Sequence, residues 1–188
     1  MYSLAEQQLL QTIAKESILT GLEQGSPLAV TVSDYAEHLQ EKRATFVTLK
    51  LPAANNNDAL RGCIGSLTPY RALVEDIAHN AYAAAFSDPR FPALEQQEYK
   101  QLKYHISILS DTTPMQFDSE QALLAQIRPG IDGLVLQDNN RQGTFLPSVW
   151  EQLAEPEEFL RHLKRKAGLP ADYWSPTLQV SRYTVESF

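Results

Sequence analysis

The chain has a single cysteine, Cys63, and so cannot form an internal disulfide. Nothing in it demands an oxidising compartment, and a metal site built from several thiolates is excluded. No apolar run approaches the roughly 18 residues of a membrane span. A basic segment followed by an apolar core is missing at the N-terminus, so no signal peptide is expected and the expected location is the cytoplasm. Basic residues are few: 16 Lys and Arg stand against 23 Asp and Glu, for a net charge of -7. With a pI near 5.1, that balance argues against a nucleic-acid partner, which needs a basic stripe. There is no phosphate-binding glycine loop, no dinucleotide fingerprint and no His-Glu-x-x-His pair. The four histidines, His38, His79, His105 and His162, are scattered without metal-ligand spacing. No metal and no cofactor is expected. Internal repeats, low-complexity tracts and an evident linker are also absent.

What remains is a globular composition, 43% hydrophobic and 21% charged over 188 residues. That length supports one domain or two small lobes with a real core. Ser3 and Glu6 have capping-box spacing ahead of Leu10, Ile13, Ala14, Ser17 and Ile18, which predicts a first helix ending at Gly21 or Gly25. Ser33 or Asp34 can cap a second helix to about Lys42. Ala44 to Leu51 alternates as a strand, with Thr45, Val47, Leu49 and Leu51 on one face. Asn55-Asn56-Asn57-Asp58 then reads as a turn, making 44–67 a hairpin.

The second strand of that hairpin carries Leu60-Arg61-Gly62-Cys63-Ile64-Gly65. Simple alternation puts Arg61 and Cys63 on one face and Leu60 and Ile64 on the other. Gly62 and Gly65 leave room for another backbone or a ligand to approach. An arginine beside a thiol favours the reactive thiolate, which is otherwise only about 3% populated at pH 7. The alternative is a cysteine packed as a small hydrophobe.

Thr68-Pro69 has the form of a helix start, followed by a stripe of Leu73, Ile77, Ala81 and Ala84 or Ala85; Asn80, off the centre of the stripe, either faces a cleft or is solvated, and the solvated position is the expected one. Ser87 to Pro92 must be a rigid corner, in which Asp88 and Arg90 either pair to lock a turn or take part in a site. A short helix is predicted over 94–102, a strand over 104–110 and a helix from Ser119 to about Ile127. A strand over 134–137 and a return over 143–146 flank a hairpin loop, 138–143. Pro156 to Ala167 reads as a helix whose Lys164, Arg165 and Lys166 complement the dipole at its end. Leu178 to Phe188 reads as one closing strand. Hairpins with interspersed helices predict an α+β protein with antiparallel sheet.

Several blocks in order carry a resemblance to a known family. They are Phe46-Val47-Thr48-Leu49, the hexapeptide with Ser66-Leu67 and Pro69, Ala81 with Ala85-Phe86, and Asp88-Pro89-Arg90-Phe91. Pro129 to Leu134, Thr144 to Trp150, Lys166 to Leu169 and Arg182-Tyr183 continue the series. The chain resembles the AMMECR domain family over about positions 44 to 188. Its bacterial and archaeal members are known as AmmeMemoRadiSam system protein A, after the Memo-type and radical S-adenosylmethionine proteins whose genes accompany them.

The resemblance implies two unequal lobes around a cleft, with the hexapeptide side chains facing the interface. The larger lobe, from the N- and C-terminal parts, would hold a five-stranded antiparallel sheet flanked by helices; the smaller would come from the middle of the chain. It implies no reaction. Arg43-Ala44 stands where many members have glycine, and none of the four histidines falls on a family motif, which weakens a Cys–His nucleophile. The polar set is Arg61, Cys63, Asp88, Arg90 and Thr144. Two functions follow. One is a binding or accessory subunit that holds a protein or small-molecule ligand in the cleft and works with the Memo-type and radical proteins. The other is an enzyme in which Arg61 activates Cys63, with Gly62, Gly65, Asp88, Arg90 and Thr144 around the substrate.

Overall fold

A computed structural model describes residues 1–53 and 58–188. The expected turn at Asn55, Asn56 and Asn57 lies outside the described residues. The chain divides into two compact units, 1–109 with 186–188, and 110–185.

The first unit begins with α1 (Leu4–Gln24), and its start is written in the sequence. Ser3 Oγ accepts the Glu6 N–H while the Glu6 carboxylate accepts the Ser3 N–H, and Gly25 ends the helix in the left-handed region. Two of the four N–H groups otherwise orphaned at the N-terminus are thereby satisfied. The second helix is shorter than expected: a 3-10 turn (Val32–Asp34) precedes α2 (Glu37–Gln40). Strands β1 (Thr45–Pro52), β2 (Asp58–Gly65) and β3 (Lys103–Leu109) follow, with α3 (Leu73–Phe86) and α4 (Gln96–Tyr99) between β2 and β3. With β8 (Val185–Ser187) they form an antiparallel sheet in the order β2-β1-β3-β8.

Alternation along β1 buries Thr45, Val47 and Leu49. Val47 and Leu49 meet Leu10, Ile13, Ala14 and Ile18 of α1 and Ile77, Ala78, Ala81 and Ala84 of α3 in one core. Each fully buried leucine or isoleucine there contributes about 1.5–3 kcal/mol. Two expectations for α3 need correction. It starts at Leu73, not at Thr68-Pro69, because the Leu73 N–H is held by the Glu41 carbonyl and Ala72 bridges to Lys42, which keeps the approach extended. Asn80 is buried, not solvated: its amide donates to Asp76 Oδ2 at 2.9 Å and to Thr45 Oγ1 at 2.9 Å.

The second unit holds β4 (Thr113–Pro114), α5 (Glu120–Leu124), β5 (Gly133–Asp138), β6 (Arg141–Phe145), α6 (Pro156–Lys166) and β7 (Gln179–Tyr183). Its sheet runs β4-β7-β5-β6. The expected six-residue loop at 138–143 is a two-residue turn, since Asp138 pairs with Arg141 and Asn139 takes a positive φ of 50°. Phe159, Leu160 and Leu163 of α6 pack with Leu134, Leu136 and Val180, and Trp150 stacks on Phe159 at 3.8 Å. Lys164 stands in the last turn of α6 with Arg165 and Lys166, as expected. It is fully buried, with Nζ 2.7 Å from Glu120 Oε1.

The segment expected as one closing strand is two. β7 belongs to the second sheet and β8 to the first, with the break at Thr184. The architecture is α+β with two antiparallel sheets. Among the described residues each has four strands, where the resemblance implies one of five.

Candidate functional site

The hexapeptide lies on β2, an edge strand of the first sheet. Its pairing with β1 runs Phe46 to Gly65, Val47 to Ile64, Thr48 to Cys63 and Leu49 to Gly62, then jumps to Lys50 with Leu60. Arg61 is left over, the extra residue of a β-bulge. The bulge interrupts the alternation that would put Arg61 and Cys63 side by side. Arg61 is buried, and its guanidinium forks onto Glu98 of α4, with Nε 2.6 Å from Oε1 and Nη2 2.9 Å from Oε2. Nη2 also donates to the Pro92 carbonyl at 3.0 Å, and the Phe91 ring lies 5.8 Å away. The hydrogen bonds to Arg61 and the fixed positive charge hold the Glu98 carboxyl below its ordinary range.

Both glycines of the motif meet the protein's own backbone. A Cβ on Gly62 would stand 2.0 Å from the Ala84 carbonyl oxygen of α3, and one on Gly65 2.3 Å from the Thr45 carbonyl oxygen. The absent side chains let a helix and a neighbouring strand approach.

Cys63 is half-buried and is held from three directions. Its N–H donates to Asp88 Oδ2 at 2.9 Å, its carbonyl accepts from Arg90 Nη2 at 3.2 Å, and its sulfur accepts from Thr48 Oγ1 at 3.2 Å. The corner after α3 therefore covers the open edge of β2 with side chains in place of a strand. Asp88 and Arg90 also pair with each other, Nη2 to Oδ2 at 2.7 Å and Nε to Oδ1 at 2.9 Å. That bond, with the Cys63 and Arg90 N–H groups, holds the Asp88 carboxyl far below the usual carboxylate range. Arg90 is raised in turn, chiefly by Asp88, with Cys63 a further contributor. The guanidinium beside the cysteine is thus Arg90, which sequence spacing assigned to the corner, and Arg61 is turned to Glu98. Arg90 lies over Phe91 as well, at 5.5 Å.

Thr144 sits in the second unit, on β6. Its hydroxyl donates to the Leu134 carbonyl at 2.8 Å and lies 3.1 Å from the Tyr183 hydroxyl. Burial pushes that tyrosine up to about 12.

Sequence reasoning missed four polar residues of the first unit, three of them at or beside the hexapeptide. Glu98 has a signal only in hindsight, the repeated acids Glu95 and Glu98 that cap α4. Thr48 is visible as the outward residue between Val47 and Leu49. His105 pairs in register with Thr48 on β3, so Cys63, Thr48 and His105 form one cross-strand row. Partial burial and the Lys50 ammonium lower the His105 pKa. Among the described residues no hydrogen bond joins a histidine to Cys63.

The fourth is Asp76, almost wholly buried at one end of β1. Its Oδ2 accepts the Thr45 N–H and hydroxyl, while Oδ1 has no hydrogen-bond partner and lies 3.7 Å from Arg71 Nη1. Desolvation raises its pKa above the ordinary value.

Among the described residues no three His, Cys, Asp or Glu side chains gather as a metal-binding group. No helix among them is long and apolar enough to cross a membrane.

Comparison with known proteins adds relatives but no chemistry. The family model described as AMMECR1 matches residues 11–188. Protein MK0488 of Methanopyrus kandleri is 33% identical over 99% of this chain and 89% of its own length. A protein of Thermococcus gammatolerans is 38% identical over 82% of this chain and 76% of its own. The crystal structure of the uncharacterized protein PH0010 from Pyrococcus horikoshii matches with a TM-score of 0.83 at 32% identity, covering 95% of this chain and 88% of that one.

Proposed function

The chain belongs to the AMMECR1 family, and on that premise we propose that it is a binding or accessory subunit of the cytoplasm. In this reading it works with Memo-type and radical S-adenosylmethionine proteins and presents the hexapeptide region to a protein or small-molecule ligand. The observation that carries the reading is the mutual commitment of the charges around Cys63. Asp88 is held by Arg90 and by the Cys63 N–H, and Nε and Nη2 of Arg61 by Glu98, while Arg61 Nη1 is buried without a hydrogen-bond partner among the described residues. Groups so paired fix a shape in advance of binding, which lowers the ordering cost of association. They are poorly placed to exchange protons.

The test is co-purification from the native host at native expression. Recovery of either proposed partner, undiminished in Cys63→Ser, supports the reading. Recovery of neither, with no other stable partner, overturns it.

A second reading is favoured by one contact, the Thr48 hydroxyl donating to the Cys63 sulfur at 3.2 Å. Here Cys63 is a nucleophilic thiolate acting on an unidentified substrate. Arg90 takes the electrostatic part that spacing suggests for Arg61. Loss of cellular function in Cys63→Ser, with partners still bound, selects this reading over the first.

A further inference from the structure

We propose that the outer face of the first sheet is a docking surface for an acidic protein segment, held by Lys50 and Lys103 with Leu60 beside them. The proposal rests on the binding reading above and names the chemistry of the partner. The face is set by β1. Val47 and Leu49 are fully buried and turn inward, where α1 and α3 pack on them, so Thr48 and Lys50 turn outward. Register carries that face across the sheet. Thr48 stands opposite His105, and Lys50 has Lys103 on one side and Leu60 on the other. Lys50, Leu60, Lys103 and His105 all reach solvent, and Leu60 is 42% exposed.

Two ammonium groups directly opposite on neighbouring strands repel, and such a pair costs stability. Asp58 relieves Lys103, whose Nζ lies 2.8 Å from Oδ1. Lys50 has no acid partner among the described residues. Its charge is felt one row on, where desolvation and then the Lys50 ammonium lower the His105 pKa. The chain carries a net charge of -7, so an excess of positive charge on one open face runs against the rest of it. Folding makes no use of that charge, and an acidic partner does. A protein segment fits the face better than a small anion. Exposed ion pairs are individually weak and screened by salt, so an anion alone is lost to solvent. A segment that also covers Leu60 adds apolar burial, and complementary charge steers and orients it.

The experiment titrates the full isotope-labelled chain, followed by its amide NMR shifts, with a short synthetic peptide of Glu and Leu. The same peptide with Gln for Glu, inorganic phosphate and an oligothymidylate are titrated in parallel. The acidic peptide alone is expected to shift the amides of Lys50, Leu60, Lys103 and His105. Its affinity falls about tenfold when Lys50→Gln and Lys103→Gln are combined, and by roughly threefold in Leu60→Ser. Lys15→Gln with Lys100→Gln changes two exposed lysines elsewhere by the same charge and leaves binding as in wild type. Lys50→Gln alone melts no lower than wild type, because it removes a repulsion.

Shifts centred elsewhere, no binding, or equal binding of the Gln peptide overturns the proposal. So does phosphate or the oligothymidylate moving the same amides as strongly, which would make the face a general anion site. The binding reading fails separately. If the proposed partners co-purify alike with wild type and with the paired Lys50→Gln and Lys103→Gln variant, that reading stands and this surface is not its site. If no partner is recovered while the acidic peptide still maps to this face, the reading fails and the surface remains.

Discussion

Asp88 accepts the backbone N–H of Cys63 at 2.9 Å while its own Arg90 partner donates to the Cys63 carbonyl. An acid and a base two residues apart thus imitate the donor and acceptor pattern of a missing neighbour strand. The corner and the hexapeptide form one unit, and this explains why an ion pair that would be worth little in solvent is kept here.

Replacing Asp88 with Asn is therefore expected to cost about 2 kcal/mol, the scale of losing charge-assisted hydrogen bonds. The pH dependence has a definite sign. Because the folded-state pKa of Asp88 is depressed, its contribution is present above the unfolded-state value near 4 and is lost as pH falls through that range and below. Urea melts of wild type and Asp88→Asn at several pH values check this. Their stabilities should converge as the solution is made acidic, and a gap that stays constant would refute the account.

Gly62 is expected to be intolerant of any side chain. A Cβ at this position would lie 2.0 Å from the Ala84 carbonyl oxygen, which sets backbone against backbone with no flexible group to give way. Overpacking of this kind costs about 1–3 kcal/mol or more. For a chain of this length that lowers Tm by roughly 3–10 °C. Thermal melting of Gly62→Ala measures it. A variant that melts like wild type would mean that β2 stands further from α3.

Much of this arrangement was legible in the chain itself. Ser3, Glu6 and Gly25 announce α1 because capping is local chemistry, and the alternation of Thr45, Val47 and Leu49 announces β1 and its buried face. The hexapeptide and the rigid corner also stood out as polar and conformationally unusual segments. Their union did not, because it depends on which strand lies at the edge of the sheet. The bulge at Arg61 was invisible for a related reason: an inserted residue is defined only against its partner strand. Asn80 misled because a polar residue beside an apolar stripe is ordinarily solvated, and only the proximity of Thr45 and Asp76 makes burial tolerable. Likewise the continuous pattern of 178–188 hides a change of sheet at Thr184.

Asp76 gives a pH dependence of the opposite sign to Asp88. Its folded-state pKa is raised by desolvation. Stability from this group is fully present below the unfolded-state value near 4 and is lost as pH rises through the folded-state value. Asp76→Asn keeps an acceptor for Thr45 and Asn80 and removes the charge. Measured against wild type by urea unfolding, the variant should gain relative stability as pH is raised from 4 to 7. A constant or shrinking advantage over that interval would show that Arg71 compensates the buried charge fully.

The fork between Arg61 and Glu98 leads to a prediction about chemical type as well as charge. Arg61 is buried, and two of its nitrogens engage Glu98 in parallel. Truncating Glu98 to Ala leaves a guanidinium without its counter-charge in the protein interior, which costs about 3–5 kcal/mol. Arg61→Lys retains the charge but not the planar fork. An ammonium satisfies one carboxylate oxygen and cannot at the same time reach the Pro92 carbonyl with matched geometry. Arg61→Lys is therefore expected to lose most of the stability that Arg61→Ala loses, with the two variants within about 1 kcal/mol of one another. Denaturant unfolding of the three variants decides the matter. If Arg61→Lys unfolds with wild type, the interaction is a simple point-charge pair and the bulge of β2 needs another reason to exist.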